Sequence, residues 1–172
     1  MIGSDRMGEA AKYIQELKTQ LGDAMGESKP ALDGIPTVEV KPTAIINALK
    51  FLHDHPDGGF DLLTDLTAID WLKYPETGER FEVVYLVCST KANQRLRLKC
   101  RISELDPRIE SAVSVYKAAE WLEREVYDLF GIRFDGHPDL RRIMLWEDFE
   151  GHPLRKDFPT RGLHPVERTP KT

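Results

Sequence analysis

Cysteine is scarce in this chain of 172 residues, which contains only Cys88 and Cys100. The two form no Cys-x-x-Cys pair and have no histidine beside them, whereas an iron–sulfur cluster needs about four thiolate ligands. This chain alone therefore cannot hold such a cluster. Sparse cysteine is typical of a reducing compartment. Since both residues fall in strand-like segments, we expect buried free thiols.

Long apolar runs are also missing. No segment approaches the roughly 20 apolar residues that span a bilayer, and the N-terminus lacks the basic-then-apolar pattern of a signal peptide. We therefore expect any membrane association to depend on a partner. The formal net charge of −5 gives no electrostatic reason to expect binding to nucleic acid or an anionic membrane. Phosphate-binding Gly-rich loops, nucleophile elbows and dinucleotide fingerprints are absent from the sequence as well.

What the sequence does contain is a set of periodic segments typical of one folded domain. Three segments predict amphipathic helices: residues 9–21, about 42–53 and about 118–130. Five others are typical of strands: residues 37–40, 62–74, 79–89, 95–103 and a short one near 113–116. A turn at residues 75–78 predicts an antiparallel meander. Gly22, Gly26 and Pro30 predict a linker after the first helix, and Gly131 is placed to end the last helix.

The strand over residues 95–103 alternates strictly between apolar and charged side chains. Its charged face is a row of four cations: Arg95, Arg97, Lys99 and Arg101. We favour a solvated or salt-bridged sheet face for this row. The alternative is a surface that attracts phosphate, nucleic acid or an acidic partner, and the acidic net charge disfavours nucleic acid.

Beyond Gly131 the periodicity ends. Five prolines exclude long helices and central strands there: Pro138, Pro153, Pro159, Pro165 and Pro170. Apolar side chains are nevertheless spread through this segment, which predicts an arm that lies along a surface. That surface is either the chain's own domain or a partner, and the sequence favours neither.

The predicted helix over residues 118–130 carries the densest charge pattern. At 100° per residue, Glu125 falls at the edge of the apolar arc. Four other charged residues fall outside the arc: Glu120, Glu123, Arg124 and Asp128. A carboxylate at a buried edge is costly unless it is paired, so we expect Glu125 to hold the arm to the helix through a basic residue. The candidates are Arg141, Arg142, Arg155 and Lys156.

Two enzymatic or metal-binding alternatives remain open. The first is a free-standing hydrolase that uses Glu123, Glu125 or Asp128 as a catalytic acid or base. The second is a metal site formed by four neighbouring residues: His53, Asp54, His55 and Asp57. A metal needs three or four converging ligands, and polar residues are expected at a helix end, so we favour a helix terminus. We expect His137 and His152 to hydrogen-bond backbone carbonyls or a partner.

Three stretches carry a resemblance to a known family. The first is Glu-Arg-Glu at residues 123–125, followed by Asp-Leu-Phe-Gly at 128–131. Gly-His-Pro-Asp-Leu-Arg-Arg follows at 136–142, and Gly-His-Pro-Leu-Arg-Lys-Asp-Phe-Pro at 151–159. Together they resemble the family of C-type subunits of NADH-quinone oxidoreductases.

This resemblance implies a two-layer α+β domain with a mixed, largely antiparallel sheet, flanking helices and an irregular C-terminal arm. We expect residues 1–34 to form an N-terminal helix and linker, and residues 35–134 to form the α+β domain. Residues 135–172 are expected to form an extended arm that packs on partner subunits.

The resemblance also implies a function. The chain would be a cofactor-free structural subunit in the peripheral arm of proton-translocating NADH:quinone oxidoreductase, respiratory complex I. The complex passes electrons from NADH through FMN and iron–sulfur centres to quinone. The chain would contact chiefly the B-type and D-type subunits, on the cytoplasmic side of the inner (plasma) membrane and without entering it. The same motifs also fit the equivalent subunit of a membrane-bound hydrogenase or a ferredoxin-type dehydrogenase complex.

In this family assignment the chain has no catalytic, cofactor-binding or metal-binding residue and no activity by itself. Its motif residues are expected to have structural or interface roles: Glu123, Arg124, Glu125, Asp128, His137, Arg141, Arg142, His152, Arg155, Lys156 and Asp157.

Overall fold

The computed structural model describes residues 4–57, 59–74 and 78–162, and the side chains of all of these except residues 4–9, 29 and 30. These ranges contain three α-helices: α1, Ser4–Leu21; α2, Ile45–His53; and α3, Ala119–Phe130. They contain seven strands: β1, Met25–Pro30; β2, Pro36–Val40; β3, Leu62–Asp70; β4, Phe81–Ser89; β5, Gln94–Ile102; β6, Arg108–Glu110; and β7, Arg133–Asp135. Among these helices, none has the length and apolar character needed to cross a membrane.

Five strands form one sheet in the order β1-β2-β5-β4-β3. Strands β3, β4 and β5 form the predicted antiparallel meander, in which Tyr85 lies opposite Leu66 on one side and Leu98 on the other. Strand β2 pairs in parallel with β5, and β1 pairs antiparallel with β2. The sheet is therefore mixed and largely antiparallel, as predicted. Strands β6 and β7 form a separate parallel pair, with Ile109 opposite Phe134.

One face of the sheet carries the hydrophobic core. Tyr85, Leu96 and Leu98 on that face are fully buried, as are Leu17 of α1 and Leu49 of α2. Helix α1 contacts β1, β2 and β5, and α3 packs beside β3. Full burial of a leucine side chain contributes roughly 1.5–3 kcal/mol, so the alternating pattern of β5 fixes which face the helices cover. The result is the expected two-layer α+β fold.

The other face of the sheet carries the cation row of β5. Lys99 Nζ lies 2.7 Å from Glu82 Oε1, and Arg101 Nε lies 2.6 Å from Glu82 Oε2. Arg97 pairs with Asp33. The predicted salt-bridged face is therefore confirmed for these three cations. The expected burial of the thiols is confirmed for Cys100 of the core face, whereas Cys88 is half-buried.

The predicted linker after the first helix is wrong, because Met25–Pro30 forms β1 at the edge of the sheet. An edge strand tolerates Gly26 and Pro30, since one side of its backbone needs no ladder partner. A register shift between Met25 and Ser28 also interrupts the β1–β2 pairing. The sequence pattern therefore resembled a linker although the segment is paired.

The predicted strand near residues 113–116 is also wrong. Ala112–Ser114 is a single turn of 3-10 helix, and its cap is Ser111, whose Oγ accepts from the N–H of residue 113. The short strand of this region is instead Arg108–Glu110. Strand β3 ends at Asp70, and residues 75–77 of the predicted turn lie outside the described residues.

Candidate functional site

Helix α3 ends at Gly131, as the sequence predicted. Gly131 has a left-handed φ of +73°, and its N–H donates to Tyr127 O at 2.9 Å, which is a common geometry for ending a helix at glycine. Ala119 and Val126 face the domain and are buried. The C-terminal arm, residues 135–172, of which 135–162 are described, runs along the opposite side of the helix.

Glu125 is exposed, so the prediction that it holds the arm at a buried edge is wrong. The buried carboxylates of α3 are Glu123 and Asp128, whose residues are fully buried. The predicted apolar arc gave too much weight to Leu122 and Leu129, which are only half-buried. The arm also covers α3 from a second direction, and a helical wheel contains no information about such a second layer.

Glu123 faces the domain. Its Oε2 accepts from the Ser111 hydroxyl at 2.6 Å, and its Oε1 accepts from Ala112 N–H at 2.6 Å. Burial raises the pKa of Glu123 to about 7, although both hydrogen bonds act to lower it. Within the described residues this carboxyl has no cationic partner. It therefore links α3 to the turn at residues 111–112 as a buried acid that has a high affinity for a proton.

Asp128 faces the C-terminal arm and binds it at four points. Its Oδ1 accepts from Arg142 Nη1 at 2.6 Å. Its Oδ2 accepts from three backbone N–H groups, those of Ile143 at 3.0 Å, Met144 at 2.8 Å and Leu145 at 2.9 Å. Burial acts to raise the pKa of Asp128, but these hydrogen bonds outweigh it and lower the pKa below its usual value. The anchoring role expected of a carboxylate on this helix therefore belongs to Asp128.

The arm also supplies donors to the C-terminal end of α3. The last four carbonyls of a helix have no partner within it. Three of them bind the arm: Asp128 O accepts from His152 Nδ1 at 2.8 Å, Leu129 O from Leu154 N–H at 3.0 Å, and Phe130 O from Arg155 Nε at 2.6 Å. A cation at this end also complements the helix dipole. The hydrogen bond of His152 to a carbonyl confirms what was expected of it.

Gly131 is the position at which one methyl group would disrupt this cap. A Cβ there would lie 2.5 Å from His152 Nε2 and 2.6 Å from Arg155 Nη2. Gly131→Ala must therefore displace both donors in addition to straining a positive φ. We expect the free energy of unfolding to fall by about 2–4 kcal/mol, the sum of the strain and the lost hydrogen bonds, as measured by urea denaturation.

The matched control for this substitution is Gly136→Ala. Gly136 has a φ of +84°, but no atom lies within 4 Å of its Cβ position. The control therefore carries the backbone strain alone, about 1–2 kcal/mol. Equal losses in the two variants would show that the contacts of Gly131 with the arm do not stabilise the chain.

Arg124 and His137 hold the beginning of the arm. Arg124 Nε donates to Arg141 O and Arg124 Nη2 donates to Arg142 O, both at 3.2 Å. His137 Nε2 lies 3.0 Å from Glu120 O, and because a carbonyl only accepts, Nε2 is the donor. This contact confirms the expected hydrogen bond of His137 to a backbone carbonyl.

A second charged cluster, which the sequence did not lead us to expect, holds the far end of the arm. Arg80 Nε lies 3.0 Å from Asp70 Oδ1, and Arg80 Nη2 lies 2.9 Å from Asp70 Oδ2. Both side chains are buried. Arg80 Nη2 also donates to Asp157 Oδ1 at 2.8 Å, and Lys156 N–H donates to Asp70 Oδ2 at 2.8 Å. Arg80 makes a further ion pair with Glu104.

The electrostatics of this cluster favour full ionisation. Burial acts to raise the pKa of Asp70, but the hydrogen bonds from Arg80 and from the backbone of Lys156 and Leu72 outweigh it and lower the pKa. The hydrogen bond from Arg80 lowers the pKa of Asp157. One half of the cluster had a signal in the sequence, because a hairpin between the first two strands of the meander brings Asp70 next to Arg80.

The remaining predicted interface residues lie at the surface. Arg141 Nε lies 2.9 Å from Asp139 Oδ2, and both side chains are exposed. Lys156 and Asp157 are exposed as residues, although both contact the buried pair described above. Their contact with other subunits stays a prediction.

The histidines at the end of α2 are divided among separate partners. His53 Nδ1 lies 2.7 Å from Asp54 Oδ1, and His55 Nε2 lies 2.7 Å from Glu16 Oε2 on α1. Asp57 forms an ion pair with α1 as well. Within residues 4–57, 59–74 and 78–162, no group of three or more His, Cys, Asp or Glu is arranged to hold a metal ion. The contacts therefore agree with the helix-terminus interpretation.

Comparison with known proteins identifies the family. Residues 38–164 match the family described as "Respiratory-chain NADH dehydrogenase, 30 Kd subunit". The chain belongs to this family. One relative, the second C-type subunit of the NADH-quinone oxidoreductase of Rhizobium meliloti (strain 1021), is 45% identical over 155 residues, which are 90% of this chain and 82% of the relative. The resemblance to the C-type subunits of these oxidoreductases is therefore confirmed.

Two solved structures have a similar fold. The trypsin-resistant fragment (1-134) of Nqo5 is 31% identical with a TM-score of 0.65, over 76% of this chain and 98% of the fragment. A chain of the membrane-bound sulfane sulfur reductase, an archaeal respiratory membrane complex, is 25% identical with a TM-score of 0.71. The match covers 88% of this chain and 86% of the reductase chain. The fold of this chain is thus also found in a respiratory membrane complex.

Proposed function

We propose that this chain is the C-type subunit of an NADH-quinone oxidoreductase and has a structural role there. The observation that carries the proposal is the family match over residues 38–164, which includes both the α+β domain and most of the C-terminal arm. The complex supplies the redox chemistry through FMN, iron–sulfur centres and quinone. The chain's own residues position the arm at the surface of the peripheral part of the complex.

The contacts of α3 support a structural role rather than hydrolysis. Glu123 is fully buried and its two oxygens are hydrogen-bonded within the domain. Asp128 is fully buried and saturated by the arm. Glu125 is an exposed residue on the outer side of the helix. A catalytic acid or base must instead lie within hydrogen-bond reach of a substrate, and the two buried carboxylates are already engaged by the chain itself.

The arm supports contact with other subunits of the complex. Its polar groups turn toward α3, while Met144, Trp146 and Leu154 are exposed. The arm therefore packs on its own domain through polar groups and presents apolar side chains outward, where a partner can cover them. We infer that the B-type and D-type subunits are these neighbours. The chain would then be peripheral to the membrane, on its cytoplasmic side.

A second candidate is the equivalent subunit of a membrane-bound hydrogenase or a ferredoxin-type dehydrogenase. The observation that favours it is the similar fold of the sulfane sulfur reductase chain, with which this chain shares 25% identity. Identity to the second C-type subunit of the Rhizobium meliloti NADH-quinone oxidoreductase is 45%. This difference favours the NADH-linked complex.

Affinity purification of the tagged chain from native membranes tests the proposal. We expect flavin-containing and iron–sulfur subunits to co-purify with NADH:quinone activity, whereas the separately expressed chain should be colourless. The control is the same purification from cells that produce the untagged chain. A nickel-containing partner without an NADH-binding flavoprotein would support the hydrogenase candidate instead. Purification of the chain without partners would contradict both.

A further inference from the structure

The outer side of α3 and the adjoining part of the arm form one exposed surface. We call it the acidic tryptophan surface, and it consists of Trp121, Glu125, Met144, Trp146, Glu147 and Asp148, all exposed. The two parts adjoin because Arg124, whose guanidinium lies over the Trp121 ring at 5.3 Å, donates to the backbone carbonyl of Arg142. Asp128 binds the backbone that leads to Trp146. The surface is therefore part of the same assembly that anchors the arm.

Charge is divided between the inside and the outside of this assembly. Arg124 and Arg142 turn inward, to backbone carbonyls and to Asp128. Glu125, Glu147 and Asp148 are exposed on the outside. The acidic tryptophan surface therefore presents carboxylates to a partner while the neighbouring cations are already engaged.

Three large apolar side chains lie among these carboxylates. Trp121, Met144 and Trp146 are 60%, 62% and 61% exposed. The Trp146 ring is held edge-to-face against Phe149 at 4.9 Å, and Phe149 stacks on Phe158 at 5.9 Å. Aromatic side chains and methionine are enriched in the centres of protein interfaces, and a fixed side chain loses little freedom on binding. Trp146 is thus suited to be the central contact.

We propose that the acidic tryptophan surface docks into an apolar groove, bordered by Lys or Arg side chains, on another subunit of the complex. The inference rests on the proposed function and adds the chemistry of the partner. The carboxylates disfavour two other occupants. A second copy in a two-fold contact would bring the same acids together, and an anionic membrane surface would repel them.

The first test is photo-crosslinking with p-benzoyl-phenylalanine in place of Trp146 in the full chain. The crosslink is made in native membranes and the adduct is identified by mass spectrometry. We expect an adduct on a different subunit of the complex, in a peptide with basic residues close to the crosslinked position. An adduct on a second copy of this chain or on lipid, or no adduct in a chain that co-purifies with the complex, would overturn the inference.

The second test is charge reversal. The double variant Glu147→Lys/Asp148→Lys should recover the co-purifying subunits roughly tenfold less well than wild type at low salt, because like charges across an interface are repulsive. Trp146→Ala should lose about tenfold or more at any salt concentration. The matched control is Asp65→Lys/Glu110→Lys, which makes the same charge change at two exposed carboxylates elsewhere.

The two tests separate the inference from the proposed function. All variants should unfold at the same urea concentration as wild type when isolated, because the changed side chains are exposed. Equal recovery by the Glu147→Lys/Asp148→Lys chain and its control would overturn the inference while the proposed function stands. Failure of the wild-type chain to recover any subunit would overturn the proposed function itself.

Discussion

Replacement of Asp128 by alanine should cost about 3–5 kcal/mol in the free energy of unfolding and free the arm from α3. The substitution removes a buried carboxylate that pairs with Arg142 and accepts three backbone N–H groups. The cost is large because the arginine and the N–H groups then lack the partner that balanced their desolvation. Urea denaturation of the purified chain measures the loss.

Limited proteolysis with trypsin should show that this loss is local to the arm. The backbone at Arg141 and Arg142 is held to α3 through Arg124 and Asp128. If arm opening becomes about 3 kcal/mol easier, the open form is populated roughly a hundredfold more often, and cleavage there should accelerate by a similar factor. Cleavage inside the sheet should change much less.

The controls for Asp128 lie on the same helix and at the same position. Glu125→Ala removes an exposed carboxylate and should change stability by no more than about 0.5 kcal/mol. Asp128→Asn keeps an acceptor for the backbone N–H groups but loses the charge opposite Arg142, so its loss should lie between the two. An Asp128→Ala chain with wild-type stability and a trypsin-resistant arm would show that the arm is held elsewhere.

The meander was predictable from the sequence because its information is local. In β5 the apolar residues Leu96 and Leu98 alternate with cations, and this alternation fixed both the strand and its buried face. Strand β1 was not predictable in this way. Gly26 and Pro30 have weak preference for strands, and the segment is paired only because β2 lies beside it.

The candidate site was predictable in its residues but not in its geometry. The motif identified α3 and the arm as a unit, yet the pattern selected Glu125 where Glu123 and Asp128 are the buried acids. Periodicity describes one buried side of a helix, and α3 has a second side that only the arm covers. The contact of Arg80 with Asp157 joins residues 77 positions apart, and no local pattern contains it.

Glu123 should make the stability of the chain fall as pH rises, opposite to the effect of Asp128. Burial raises the pKa of Glu123 in the folded chain to about 7, from an ordinary value of 4.5. Below the ordinary value both states are protonated, so stability is fully present. Between the two values the unfolded chain loses its proton while the folded chain keeps it, so stability falls with pH until the folded pKa is passed.

Glu123→Gln should remove this dependence. A carboxamide can accept from Ala112 N–H and donate to the Ser111 hydroxyl oxygen, which are the contacts available to the protonated acid. Between about pH 5 and pH 8 the variant should gain about 2–3 kcal/mol of stability relative to wild type. The measurement is the free energy of unfolding in urea at several pH values, with the difference between the two chains taken at each pH.

The difference between chains isolates Glu123 because Asp70 and Asp128 are present in both. The lowered pKa values of these aspartates make stability increase with pH in the acidic range, and this contribution cancels. Glu125→Gln is the matched control, since it makes the same chemical change at an exposed position of α3, and its difference from wild type should not vary with pH. A pH-independent difference for Glu123→Gln as well would mean that Glu123 is ionised in the folded chain at pH 5, with its charge balanced by the Ser111 and Ala112 hydrogen bonds alone.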